Sequence, residues 1–103
     1  MPESAANILE HSTDSFPSDF LDCMSAHITE DEYYLYIERL NTVESWLTPL
    51  KPAPDQRFMG FSGAPDWWNP PAPNSSTYYR KEGYTVEIVR FYDGVLYYMT
   101  WDT

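Results

Sequence analysis

The chain has 103 residues, 43% of them hydrophobic and 17% aromatic, an apolar load that disordered chains do not carry. Acids outnumber bases 16 to 6, for a net charge of −10, which disfavours free nucleic acid and anionic membrane surfaces as partners because both are gripped through Lys and Arg. No apolar run approaches the roughly 18 residues of a membrane span, no secretory h-region is visible near Met1, and Cys23, the single cysteine, has no partner for a disulfide, so a cytoplasmic protein is expected.

The length suits a single domain over 1–103, read in three zones. Residues 1–48 form an acidic helical part, 49–76 a connector with seven of the nine prolines, and 77–102 a β-meander. The charge is lopsided. Residues 1–50 hold ten acids against one base, Arg39, whereas 51–103 hold six acids and five bases.

In chain order, a helical turn is expected at 3–10 and a short helix at 17–27. The second has Pro17 in its first turn and Phe20, Leu21 and Met24 facing inward. The main helix is placed at 30–47. Thr29 and Glu32 have capping-box spacing, and Glu30, Asp31 and Glu32 suit the positive end of a helix. Tyr33, Tyr36, Ile37, Leu40, Val43 and Leu47 then fall on one face, and Pro49 stops the helix. A strand at Arg57 to Phe61 is a candidate fourth member of the sheet.

The meander has strands at about 77–81, at Tyr84 to Tyr92 and at Val95 to Trp101, all rich in β-branched and aromatic residues. Around Gly83 two registers are open, one pairing Lys81 with Tyr84 and one pairing Arg80 with Tyr84. Asp93-Gly94 signals a two-residue type I′ turn, which pairs Tyr92 with Val95, Phe91 with Leu96 and Val89 with Tyr98. One face of that hairpin then carries Val86, Ile88, Tyr92, Val95, Tyr97, Met99 and Trp101 and is expected to receive the helices. The other carries Val89, Phe91, Leu96 and Tyr98, an apolar patch that needs a cover. The candidate covers are the Trp67-Trp68 connector, a second copy of the chain, or the target. The predicted fold is therefore α+β: two or three N-terminal helices packed on a small C-terminal antiparallel β-meander of three or four strands.

The chemistry-bearing patterns are few. Asp19, Cys23 and His27 would share one face of a helix at 17–27, but structural zinc takes four ligands, mostly Cys and His, so no metal is expected. Gly60-Phe61-Ser62-Gly63 lacks the order of a nucleophile elbow, and no phosphate loop or H-E-x-x-H is present, so no enzyme, catalytic residue or cofactor is expected. Asn74-Ser75-Ser76 reads as a polar turn. Glu30, Asp31, Glu38 and Glu44 line the start and outer face of the main helix, a surface suited to a basic partner. Of Trp67 and Trp68, one is expected to pin the connector and the other to face a partner.

The expected function is a non-enzymatic acidic binding protein that inhibits a basic protein partner, such as a nucleic-acid-handling or host-defence complex. Small size and strong acidity are shared by many phage and mobile-element proteins, including anti-defence inhibitors and toxin-neutralising immunity proteins, although no motif supports that likeness. Partner contacts are assigned to Glu30, Asp31, Glu38, Glu44, Trp67, Trp68, Phe91, Leu96 and Tyr98, with homo-oligomerisation through the C-terminal hairpin as a further use of the last three. The alternative is a small-ligand protein that sequesters a nucleotide signal, using the aromatic zone with Arg57, Arg80, Lys81 and Arg90.

Overall fold

A computed structural model describes residues 6–15, 19–43, 49–54, 65–70, 72 and 74–102. They form a six-stranded antiparallel sheet with one helix across one face. The strands are β1 (Ala6–Ser15), β2 (Asp19–His27), β3 (Lys51–Pro52), β4 (Tyr78–Glu82), β5 (Thr85–Tyr92) and β6 (Val95–Asp102), and the helix is α1 (Glu30–Val43). The order across the sheet is β1-β2-β6-β5-β4-β3. No helix among the described residues is long and apolar enough to cross a membrane.

This overturns the expected two or three N-terminal helices on a three- or four-stranded meander. Residues 6–15 and 19–27 are a β-hairpin, and β2 lies inside the sheet, with β1 on one side and β6 on the other. A strand enclosed on both faces shows no clean alternation of apolar and polar residues. Here Leu21 and Cys23 pack on one face while Met24 and Ala26 pack on the other. The spacing of Leu21 and Met24 that imitates a helical stripe is thus divided between two faces of a strand.

α1 begins as its capping box dictates. The Thr29 amide donates to Glu32 Oε1 at 2.9 Å, and the Glu32 amide donates to Thr29 Oγ1 at 3.2 Å. Tyr33, Ile37 and Leu40 are buried, and Tyr36 packs beside them. The expected continuation of the helix to 47 and the candidate strand at 57–61 lie outside the described residues. The chain returns from α1 with the Leu50 amide donating to Asn41 Oδ1 at 2.8 Å.

The β5–β6 hairpin has the expected register, and Asp93 and Gly94 both take positive φ, as a type I′ turn requires. The β4–β5 hairpin has neither expected register. Glu82 pairs with Thr85, leaving Gly83-Tyr84 as the turn, with Gly83 at φ 62° in the first position, where a type II′ turn takes glycine. This register sets Arg80 opposite Glu87; the two expected registers would have set it opposite Thr85 or Tyr84.

The faces of the hairpin are also exchanged. α1 covers the patch of Val89, Phe91, Leu96 and Tyr98, and Tyr33 stacks on Phe91 with ring centroids 5.0 Å apart. Trp67 and Trp68 of the connector lie on the opposite face, where Trp68 packs with Cys23, Ile88 and Met99. Both faces of this hairpin are apolar, so alternation alone could not say which would receive the helix.

Residues 74–77 join helix and sheet. Asn74 Oδ1 accepts from the Ser76 amide at 2.9 Å, the turn-forming use of an Asn side chain. Asn74 Nδ2 donates to the Phe91 carbonyl at 3.2 Å, and the Tyr33 hydroxyl donates to the Ser76 carbonyl at 2.6 Å. Burial, then the neighbouring Tyr78 and Tyr34, pushes the Tyr33 phenol far above its ordinary value of 10.0. The fold therefore favours the neutral phenol. Its contribution is fully present below pH 10 and is lost as the pH rises above that, because the unfolded chain releases the proton first. Stability measured by denaturant titration should fall above about pH 10. Tyr33→Phe should cost about 0.5–1.5 kcal/mol at pH 7 and reduce that alkaline loss, leaving the part due to Cys23, Tyr78 and Tyr97. A variant with the wild-type alkaline profile would contradict this placement of Tyr33.

Candidate functional site

α1 turns its polar side outward. Glu30, Asp31 and Glu38 are exposed, as predicted, and so is Leu35, at 62%. Glu44 lies outside the described residues. Arg39 lies on the same helix and lines a depression of about 170 Å³ with Glu32, Leu35 and Tyr36.

Tyr36 also belongs to a larger cleft of about 300 Å³ between α1 and the β1–β2 hairpin. Its rim carries Glu10 from β1 and Asp22 from β2, and Met24, Tyr36, Leu40 and Tyr98 form its apolar and aromatic walls. Glu10 pairs with Met24, and Asp22 lies two residues before Met24 on β2. The two carboxylates are therefore diagonal neighbours on one face, roughly 7–8 Å apart at Cα. Among the described residues, no Lys or Arg lines this cleft. Two negative charges above an aromatic floor suit a guest with a cationic head and an apolar stem, the shape of a lysine or arginine side chain.

The cleft is backed by a buried polar network. Tyr98 donates its hydroxyl to Glu87 Oε2. Glu87 Oε1 lies 2.6 Å from both Nε and Nη2 of Arg80, with the two side chains 2% and 1% exposed. Arg80 Nη2 also reaches the Leu40 carbonyl in the last turn of α1, at 3.5 Å. One arginine thus links β4, β5 and α1, and Tyr98 carries the network on to β6. A charge this deep is tolerated because it is paired and hydrogen-bonded.

No family model, curated protein or solved structure matches this chain. The residues themselves therefore carry the functional reading.

The remaining predicted residues divide clearly. Trp68 is buried and meets Tyr97 edge-on at 6.0 Å, while Trp67 is half-buried against Trp68. Phe91 and Leu96 lie beneath α1, Leu96 at 0% exposure, and of the hairpin trio Tyr98 lines the cleft. Of the cations invoked for a nucleotide, Arg80 is engaged by Glu87, Arg90 is buried, Lys81 is exposed and Arg57 lies outside the described residues. On a strand, Cys23 and His27 lie about 13 Å apart rather than one helical turn. No metal-holding cluster is found among the described residues. Burial and then Asp22 push the Cys23 thiol up to about 11, so it is a thiol rather than a thiolate at neutral pH.

Sequence reasoning noted Glu10 and Asp22 only as part of the acidic zone. The missing signal was the β1–β2 register, which places them on the helix-covered face beside Tyr36.

Glu87→Ala strands the Arg80 guanidinium and should destabilise the protein by about 3–5 kcal/mol in urea titration. Replacing both partners together, with Arg80→Met and Glu87→Leu, should recover most of that loss. A single variant of near wild-type stability would show that the pair is not buried.

Proposed function

We propose that this chain is a non-enzymatic acidic binding protein that inhibits a basic protein partner, of the kind found in nucleic-acid-handling or host-defence complexes. The observation that carries the reading is the cleft, where Glu10 and Asp22 stand over Met24, Tyr36 and Tyr98 with no Lys or Arg among the described lining residues. A lysine or arginine of the partner enters with its stem against the aromatic wall and its charge between the carboxylates. The exposed acids of α1, Glu30, Asp31 and Glu38, extend the negative field beyond the cleft and steer the approach. Masking a basic surface in this way blocks whatever that surface normally grips.

The two parts of this surface have separable kinetics. Charges that stay exposed in the complex act on the encounter, whereas carboxylates that the seated cation buries act on dissociation. For a partner captured from native cells, the association rate should fall about tenfold or more between low and high salt. Glu38→Lys should slow association with little change in stability, because an exposed helix charge is worth little. Glu10→Gln with Asp22→Asn should chiefly speed dissociation. Rates that are flat in salt and unchanged in all three substitutions would contradict the reading.

A further inference from the structure

We infer that β1 is a docking edge, to which an extended basic segment of the partner adds as a further strand of the sheet. The inference rests on the acidic-inhibitor reading for the sign of the partner's charge. The strand geometry is an independent observation.

The sheet has two ends, and they differ. At one end β3 is only Lys51–Pro52, short and carrying a proline, both features that discourage further pairing. At the other, β1 is ten residues long and has β2 as its sole sheet neighbour among the described residues. It contains no proline, lysine or arginine to blunt it. An irregularity between Ala6 and Leu9, with Asn7 at φ 51°, bends the start of the strand, but Leu9 to Ser15 run in unbroken register. Ile8 and Leu9 are exposed at 46% and 42%, so the edge offers apolar side chains as well as main-chain groups. Strand addition uses both, taking affinity from the main chain and specificity from alternate side chains.

Charge selects the occupant. Residues 6–27 hold four acids, Glu10, Asp14, Asp19 and Asp22, and no Lys or Arg. A second copy pairing antiparallel about Ser12 would set Glu10 against Asp14 twice, and like charges directly opposed are destabilising. A basic strand meets the opposite situation. Glu10 belongs both to β1 and to the cleft, so the incoming side chain beside Glu10 is delivered to the cleft rim. Strand addition and cation capture therefore become one event.

The test uses a synthetic peptide of alternating Lys and Thr, of ordinary strand length, and the same peptide N-methylated at alternate residues. The methyl groups remove main-chain donors without changing the charge. Binding to the intact chain is followed by titration, and amide hydrogen exchange along β1 is read by NMR. The unmodified peptide should bind and slow exchange at alternate β1 amides, and the methylated one should bind about tenfold or more weakly, having lost several main-chain hydrogen bonds. Equal binding of both peptides, with changes confined to α1 and the cleft, would overturn strand addition and leave the charge-based reading standing. Binding of neither would also overturn it, while the captured-partner kinetics would still decide the inhibitory reading. Protection of β1 that grows with protein concentration and no peptide present would assign the edge to a second copy instead.

Discussion

β2 is paired along both edges, to β1 from Ala6 to Ser15 and to β6 from Leu21 opposite Trp101 to His27 opposite Val95. This pairing inserts an acidic hairpin into the same sheet as the aromatic C-terminal meander. It also sets where the helix starts. The Ile28 amide donates to the Gly94 carbonyl at 3.0 Å, so the chain leaves β2 beside the β5–β6 turn. Thr29 then caps α1, which crosses back over Val89, Leu96 and Ala26. The cleft is the space left where α1 departs from the outer part of the β1–β2 hairpin. Without the β2–β6 pairing, Glu10 and Asp22 would have no fixed relation to Tyr98, and β1 would not be the edge of this sheet.

The helix-covered face is not purely apolar. Arg80, Glu87 and Thr77 are buried there or at its border, and each has partners. Such groups cost desolvation, and a half-satisfied network would be worse than an apolar core. In return they discriminate between registers. Only the observed β4–β5 pairing sets Arg80 against Glu87, so a slipped hairpin would bury an unpaired charge. The Asn74 turn has a similar role, because its side chain binds both its own loop and the Phe91 carbonyl. The proline-rich connector is thereby delivered to β4 in a defined position.

Local signals were legible wherever one or two residues carry a strong conformational preference. Thr29 and Glu32 announced the start of α1, and Asp93-Gly94 announced a turn whose register follows by counting. Information carried by distant pairing was hidden. Nothing within 19–27 states that Leu21 and Met24 face opposite sides, because the decision lies in β1 and β6. Gly83 allowed several turns, and the Arg80–Glu87 pair chose among them from within the folded sheet. The exchange of the two faces has the same origin: Trp68 and Tyr33 each found an apolar surface, and the hairpin sequence did not distinguish them. The acidic zone was visible as a charge imbalance, whereas the meeting of Glu10, Asp22 and Tyr36 required the sheet order.

The pairing of β2 with β6 can be measured directly by nuclear Overhauser effects in the intact chain. The account predicts short interstrand proton contacts linking residues 21–27 to 95–101 in the antiparallel register of Asp22 with Thr100 and Met24 with Tyr98, together with slow amide exchange along β2. A continuous set of helical i to i+3 contacts over residues 19–27, with no contacts to β6, would contradict the sheet, the cleft and the docking edge together.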